Sequence, residues 1–345
     1  MSPTTYMIIL SSLTTGTIIT LSSHHWLMAW IGLEINTLAI IPIISMQHHP
    51  RTTEAATKYF LTQAAASAMI LFASTTNAWF TGTWNITQMS TTPSHILLTM
   101  ALAMKLGLAP THFWLPEVLQ GSTMTTALII TTWQKLAPMS LIYMTMNNLS
   151  PLMLLLLGLM SSIIGGWGGL NQTQTRKIMA YSSIAHLGWM AAITSIMTNI
   201  LILNLLIYLV MTMTMFYSLI LLKLKTIQDT STSWSTSPTL TTTTMLTLLS
   251  LGGLPPLTGF MPKWLILEEL TMQNLVMLAT MMALASLLSL FFYLRLSYTT
   301  TLTLSPNTIQ TKHKWRFKSP TTTHPLITLI PMTTLMLPLT PTMLS

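Results

Sequence analysis

The sequence predicts an all-α polytopic membrane protein with about 11 transmembrane helices. Charged residues make up only 6% of the 345 positions, and runs of roughly twenty residues with few charges recur along the whole chain. A water-soluble domain carries far more charge, so these runs are typical of membrane-spanning segments. The chain has no cysteine, which excludes a thiolate-bound iron–sulfur cluster, a disulfide and a cysteine zinc site.

The predicted spans follow one another along the chain. They cover residues 3–22, 25–46, 56–79, 95–118, 123–144, 150–169, 178–197, 200–222, 240–266, 273–294 and 324–343. The first begins almost at once, without the basic segment or cleavage site of a targeting sequence, so we expect the chain to insert as made. We divide the chain into a five-span repeat at 1–147, a second at 148–296, and a basic connecting loop with a terminal helix at 297–345.

The basic residues follow the even-numbered spans, except for Lys105, Lys135 and Lys263, which lie within predicted spans. The others are Arg51, Lys58, Arg176, Lys177, Lys223, Lys225, Arg295, Lys312, Lys314, Arg316 and Lys318. Because basic loops face the inner compartment, these loops and the N-terminus are predicted on the inner side, and the C-terminus on the outer side. This topology accounts for the net charge of +8. The sequence has no basic face interleaved with aromatic residues, the pattern that would predict nucleic-acid binding.

Spans four and nine carry the same glycine and proline pattern, 146 positions apart. It consists of Gly107, Pro110 and Pro116 in span four and of Gly253, Pro256 and Pro262 in span nine. Proline removes an intrahelical hydrogen bond, so we expect breaks at Gly107 and Pro110, and at Gly253, Pro255 and Pro256. Five spans separate the breaks, and five is odd, so the second copy would be inverted in the membrane. The alternative is coincidence, because glycine and proline are common in membrane helices.

Three ionisable residues lie deep within spans. Glu34 lies about ten residues into span two, where a charge is costly and usually faces the protein interior. A protonated glutamate bonded to a neighbouring helix is the alternative. Lys105 and Lys135 lie similarly deep in spans four and five, too far from either surface for the ammonium to reach it easily. Lysine suits proton transfer, because burial disfavours its charged form and a nearby carboxylate favours it.

Other candidates lie closer to span ends or breaks. Lys263 follows the second break, where its ammonium could also reach the surface. Lys58 pairs with Glu54 at i, i+4, which is typical of an ordinary helix start. His186 lies in mid-span and can pass a proton near neutral pH, although such a histidine is often only a packing residue. The secondary candidates near the first break are His112 and Glu117.

Six short motifs spread along the chain carry a family resemblance. They are GLE at 32–34, EAATKYF at 54–60, KLGLAP at 105–110, HFWLPE at 112–117, RKIMAYSSIAH at 176–186 and LGGLPP at 251–256. Together they resemble the antiporter-like membrane subunits of respiratory complex I. The resemblance implies a proton-pumping subunit of the mitochondrial inner membrane, with the N-terminus on the matrix side and the C-terminus on the intermembrane-space side.

In that family a glutamate and several lysines form a hydrated polar axis along the membrane midplane. The resemblance places on this axis Glu34, Lys58, Lys105, Lys135 and Lys263, joined by His186. It implies that NADH oxidation, flavin, iron–sulfur clusters and the quinone site belong to other subunits, so no cofactor or metal is expected here. The implied partners are neighbouring antiporter-like, small core and accessory subunits and phospholipids. The first three spans of bacterial relatives are missing, so other subunits or lipid must cover that edge.

The predicted function is proton translocation coupled to electron transfer from NADH to ubiquinone in other subunits. We expect Glu34 to pair with Lys58 or Lys105, and separation of the pair to push a proton onward. The expected route continues through Lys135 and His186 toward Lys263. A stand-alone cation/proton antiporter is one alternative, and it would exchange cations without an electron donor. A non-pumping scaffold is the other, and replacing its polar residues would impair assembly rather than coupling.

Overall fold

The structure, a computed structural model, describes residues 2–235, 237–302 and 324–341. Within these ranges the chain is helical, and its β-type pairing is limited to two isolated bridges. The prediction of an all-α protein is therefore confirmed. The predicted basic loop residues Lys312, Lys314, Arg316 and Lys318 lie outside the described residues, as does the predicted terminal span beyond residue 341.

The helices differ in length, and only some could cross a membrane alone. The first eight are Pro3–Ser22 (α1), Trp26–Ile44 (α2), Pro50–Thr81 (α3), Thr92–Leu106 (α4), Trp114–Gly121 (α5), Met124–Thr131 (α6), Leu136–Thr145 (α7) and Pro151–Gly169 (α8). The others are Thr175–Ile193 (α9), Thr198–Leu222 (α10), Ile227–Thr232 (α11), Pro238–Gly252 (α12), Phe260–Met272 (α13), Val276–Thr301 (α14) and His324–Leu335 (α15). In the described part of the chain, five helical stretches are long and apolar enough to span a membrane unaided, at α1, α2, α8, α10 and α14.

Two compact units divide the chain. One comprises Met1–Ser161 with Leu187–Thr198, and the other comprises Ser162–His186 with Asn199–Ser345. Each unit groups residues that contact one another. The predicted repeats at 1–147 and 148–296 instead group spans that correspond in order and in their glycine and proline motifs. The repeats therefore stay a prediction.

Local chemistry explains both ends of α3. The His49 side chain accepts a hydrogen bond from the Arg51 amide, and the Thr52 hydroxyl accepts one from the His49 amide. Pro50 needs no hydrogen-bond partner in the first turn, because it has no N–H. The helix ends at Gly82, whose φ of 70° lies in the left-handed region that favours glycine. As a result α3 extends beyond both ends of the predicted span at 56–79.

Span five is interrupted, which the sequence analysis did not predict. It consists of α6, a short 3-10 turn at Trp133–Lys135, and α7. Thr132 departs from helical geometry, with φ −110° and ψ −70°. A run of β-branched residues precedes it, and β-branched side chains lower helix propensity. Pro138 lies in the first turn of α7, where its missing N–H is tolerated.

Glycines allow close helix packing within each unit. In the first unit, a Cβ added at Gly32 of α2 would lie 2.6 Å from Cγ2 of Thr20 and 2.9 Å from the Gly16 carbonyl oxygen of α1. In the second unit, a Cβ added at Gly165 of α8 would lie 2.6 Å from the Ala185 amide nitrogen of α9. Small residues of this kind let membrane helices approach each other closely.

Candidate functional site

The first helix break positions Lys105. Helix α4 ends where Gly107 adopts φ 81°, and the Gly107 amide donates to the carbonyl oxygens of Ala103 and Met104. The Trp114 indole N–H of α5 also donates to the Met104 carbonyl, at 3.1 Å. Lys105 lies in the last turn of α4, where the helix dipole favours a cation. Its side chain is buried, and its Nζ has no hydrogen-bond partner among the described residues.

A cavity in the first unit lies beside Lys105. Its walls come from α2, α3, α4, α5 and the interrupted span five, and the cavity volume is about 10 Å³. Its polar lining residues include Asn36, Tyr59, Lys105, Gln134 and Lys135. The two lysines, which come from two interrupted spans, therefore line one cavity.

Glu34 of α2 interacts with two residues that line this cavity. Its Oε2 accepts a hydrogen bond from the Thr37 hydroxyl at 2.9 Å, and its carboxylate interacts electrostatically with Lys105 and Tyr59. The sequence analysis predicted that Glu34 pairs with either Lys58 or Lys105. Within the described residues neither lysine lies within ion-pair distance of Glu34, and of the two only Lys105 interacts electrostatically with its carboxylate.

Lys58 has different carboxylate partners. Its Nζ lies 2.5 Å from Oε1 of Glu54, one turn earlier in α3, and 2.7 Å from Oε2 of Glu117 in α5. All three side chains are roughly half exposed, at 41%, 61% and 51% for Lys58, Glu54 and Glu117. This ion cluster joins the start of α3 to the helix that follows the first break. The contact with Glu117 could not be read from the i, i+4 spacing of Glu54 and Lys58.

Lys135 is the last residue of the 3-10 turn in span five. It is only 3% exposed. The two preceding side chains contact other helices of the first unit. The Trp133 indole N–H donates to the Leu13 carbonyl of α1 at 3.4 Å, and the Gln134 amide donates to the Asn36 carbonyl of α2 at 3.3 Å. The interrupted segment that contributes Lys135 to the cavity wall is therefore hydrogen-bonded to α1 and α2.

The second break positions Lys263 in the second unit. Helix α12 ends where Gly253 adopts φ 82°, and Pro255 and Pro256 lie in the turn before α13. Lys263 donates from Nζ to the Gly252 carbonyl oxygen at 2.8 Å. Its ammonium therefore caps the C-terminal end of α12, which carries partial negative charge.

The turn at the second break is tightly packed. A Cβ added at Gly259 would lie 1.8 Å from the Ser250 carbonyl oxygen of α12. A Cβ added at Gly253 would lie 2.9 Å from Nζ of Lys263. The two glycines thus hold the turn against α12 and leave room for the lysine side chain.

The two candidate histidines lie in different surroundings. His186 of α9 is 7% exposed, and its ring centroid lies 5.7 Å from that of the buried Tyr208 of α10. His112 is buried, with Nδ1 3.3 Å from the Pro110 carbonyl oxygen, and it is not among the residues that line the cavity. Across the described ranges, no three or more His, Asp or Glu side chains group so as to hold a metal ion.

Several lining residues were not singled out from the sequence. They are Asn36, Tyr59, Trp114, Gln134 and, beside His186, Tyr208. Each is polar or amphipathic and lies within a predicted span, and all except Tyr208 lie within two positions of a candidate residue in the sequence. The sequence could therefore have marked them as candidate lining residues, since polar residues inside membrane spans usually face the bundle interior.

Comparisons with known proteins agree with this architecture. Residues 23–289 match the family described as NADH:quinone oxidoreductase/Mrp antiporter, TM, and residues 290–344 match NADH dehydrogenase subunit 2 C-terminus. A chain of respiratory complex I from Thermus thermophilus with bound aureothin has a TM-score of 0.86 at 25% identity, over 99% of this chain and 79% of that one. A chain of the Mrp complex from Dietzia shares the fold, with a TM-score of 0.78 at 17% identity, over 87% and 61%.

A full-length relative specifies the family further. NADH-ubiquinone oxidoreductase chain 2 of Latimeria chalumnae is 59% identical over 345 residues, which cover 100% of this chain and 99% of the relative. The match at this level of identity covers all three interrupted spans and the C-terminal segment. The chain therefore belongs to the NADH-ubiquinone oxidoreductase chain 2 family.

Proposed function

We propose that buried acid and base side chains carry protons through this chain, which is a proton-translocating membrane subunit of respiratory complex I. The residues proposed for the pathway are Glu34, Lys58, Lys105, Lys135, His186 and Lys263. The observation that carries the proposal is that Lys105 and Lys135 line one polar cavity, with Glu34 acting on Lys105. Two lysines from two interrupted spans are thereby placed to exchange a proton.

The proposed switch is the association of Glu34 with Lys105. A charge within a membrane span is costly, and a nearby opposite charge offsets that cost. When Glu34 withdraws or is neutralised, Lys105 releases its proton toward the cavity, where Lys135 accepts it. A carboxylate within about 4–6 Å changes the proton affinity of such a group by about 1.4–4 kcal/mol. Moving one charge through 100 mV takes about 2.3 kcal/mol, so the switch is comparable with this work.

Water suits the cavity as the proton carrier between the lysines. The Lys105 Nζ and both side-chain amide atoms of Asn36 have no hydrogen-bond partner among the described residues. Buried polar groups of this kind are commonly satisfied by water. The cavity volume of about 10 Å³ corresponds to roughly one water molecule, and a single bridging water would let the proton pass without direct contact between Lys105 and Lys135.

We propose that His186 and Lys263 carry the pathway through the second unit. Lys263 is anchored at the C-terminal end of α12, where the carbonyl of Gly252 stabilises its ammonium. His186 supplies an imidazole, which can accept a proton at one ring nitrogen and release one from the other. Lys58, with Glu54 and Glu117, would serve as a half-exposed charge cluster at the edge of the first unit.

The two breaks also support the proposed internal repeat. Helices α4 and α12 both have 15 residues and end at glycines with φ of 81° and 82°. The helices that follow, α5 and α13, begin at Trp114 and Phe260, which are separated by the same interval as Gly107 and Gly253. Matching cap geometry at matching positions favours two related five-span units over coincidence.

The resemblance and the relatives support a proposal for the surroundings of the chain in complex I. The chain is a multi-pass protein of the mitochondrial inner membrane, and we propose that its N-terminus faces the matrix and its C-terminus the intermembrane space. Electron transfer from NADH to ubiquinone, with its flavin and iron–sulfur clusters, takes place in other subunits. Its partners are neighbouring membrane-arm subunits, accessory subunits and phospholipids.

Replacement of Glu34 and of Lys105 in the assembled complex tests this function. Glu34→Gln and Lys105→Met should lower the number of protons pumped per electron while electron transfer continues. Glu268→Gln, which alters an exposed carboxylate of α13, is the matched control. An unchanged proton-to-electron ratio in both variants would refute the pathway.

The amount of assembled complex and a separate liposome assay distinguish the alternatives. A scaffold role predicts less assembled complex but a normal ratio in whatever assembles. An antiporter role predicts cation exchange by the isolated chain in liposomes that contain no electron donor.

A further inference from the structure

The sequence candidates for proton transfer are all titratable, but an uncharged residue connects them. Gln134 lies directly before Lys135 in the 3-10 turn of span five. Its side-chain amide donates to the Asn36 carbonyl at 3.3 Å, and its Oε1 accepts from the Tyr59 hydroxyl at 3.4 Å. One side chain thus joins the interrupted segment to both α2 and α3.

Each of these contacts leads to a charged residue of the pathway. Asn36 lies two positions after Glu34 in α2, so the bond to its carbonyl relates Lys135 to the Glu34 backbone. Tyr59 packs edge-on against Trp114, with ring centroids 5.7 Å apart. Trp114 in turn donates to the Met104 carbonyl, directly before Lys105. The network therefore spans the backbones that carry Glu34, Lys105 and Lys135.

The interrupted segment needs such contacts, because its own helical hydrogen bonds are incomplete. Thr132 leaves helical geometry, and Pro138 cannot donate to the preceding turn. The position of Lys135 relative to the cavity is then set by side-chain contacts rather than by a continuous helix. Catalytic groups held only loosely lose efficiency steeply with small displacements.

We infer that Gln134 is a positioning residue, which holds Lys135 at the distance from Glu34 and Lys105 that proton transfer requires. The inference rests on the proposed proton pathway. It assigns a role to a residue that neither gains nor loses a proton. Tyr59 shares this role through its hydroxyl.

The test is Gln134→Met in the assembled complex. Methionine keeps the length of the side chain and removes both hydrogen bonds. We expect protons pumped per electron to fall by about twofold or more, with electron transfer retained. Tyr59→Phe, which removes one bond and keeps the ring contact with Trp114, should lower the ratio less. Gln172→Met is the matched control, because the Gln172 amide also donates to a backbone carbonyl, that of Gly168 in the second unit, at 3.2 Å.

The possible outcomes are distinct. A normal ratio in Gln134→Met, with a lowered ratio in Lys105→Met, would overturn the role of Gln134 and leave the proposed function standing. A normal ratio in both variants would overturn the proposed function and this inference together. Less assembled complex with a normal ratio in what assembles would show a purely structural role, and would also overturn the inference.

Discussion

Nζ of Lys58 lies 2.7 Å from Oε2 of Glu117, and this contact joins α3 to the helix that follows the first break. Glu54 supplies a second carboxylate to the same ammonium at 2.5 Å. Because all three side chains are roughly half exposed, solvent screens the cluster, and ion pairs of this kind contribute little to stability.

We therefore expect Glu117→Gln to have a small effect on stability. The variant leaves Glu54 in place, so Lys58 stays paired. The melting temperature of the assembled complex should lie close to that of Glu268→Gln, a control at an exposed position of α13. A marked fall in melting temperature would show that the assembly buries the Lys58 cluster.

The glycine at the second break should be required for coupling as well as for stability. An alanine at Gly253 meets two problems, the left-handed φ of 82° and a Cβ 2.9 Å from Nζ of Lys263. Gly82→Ala is the matched control, since Gly82 has a φ of 70° and nothing within 4 Å of an added Cβ. Each variant should lose about 1–2 kcal/mol of stability from its backbone conformation.

Only Gly253→Ala should also lower the number of protons pumped per electron, because it displaces Lys263 from the Gly252 carbonyl. Thermal unfolding and proton-to-electron ratios measured on both variants check this difference. Equal ratios for Gly253→Ala and Gly82→Ala would contradict the proposed position of Lys263 in the pathway.

The Trp114 indole should stabilise the first break. Trp114→Phe removes the hydrogen bond to the Met104 carbonyl and keeps an aromatic ring against Tyr59. The expected loss is about 1 kcal/mol, the usual contribution of a hydrogen bond of this type. Trp264→Phe, at a tryptophan that is 55% exposed, should change stability much less. Equal unfolding temperatures for the two variants would show that the indole bond contributes nothing.

Gly259 should be essential for closing the turn between α12 and α13. A Cβ at this position would lie 1.8 Å from the Ser250 carbonyl oxygen, which is backbone and cannot rotate away. We expect Gly259→Ala to cost at least about 1–3 kcal/mol, the range for overpacked sites. Reduced assembly of the complex on native gels measures the effect. Normal assembly would mean that the turn can open without loss.

The class of the protein and the places of two helix breaks could be predicted from the sequence. Scarcity of charge over spans of membrane length determines the class whatever the packing. Gly107 and Gly253 act through their own backbone conformation, and the neighbouring prolines through a missing N–H, so both effects are local. The family resemblance and the proton-translocating function inferred from the motifs are confirmed by the comparisons.

The tertiary structure decided which groups meet. Lys58 contacts Glu117 rather than Glu34, and the Gln134 side chain hydrogen-bonds to residues of α2 and α3. These contacts depend on how helices pack and rotate against one another, which no local pattern specifies. The break before Lys135 also escaped prediction, because weak helix formers there yield to contacts with α1, α2 and α3.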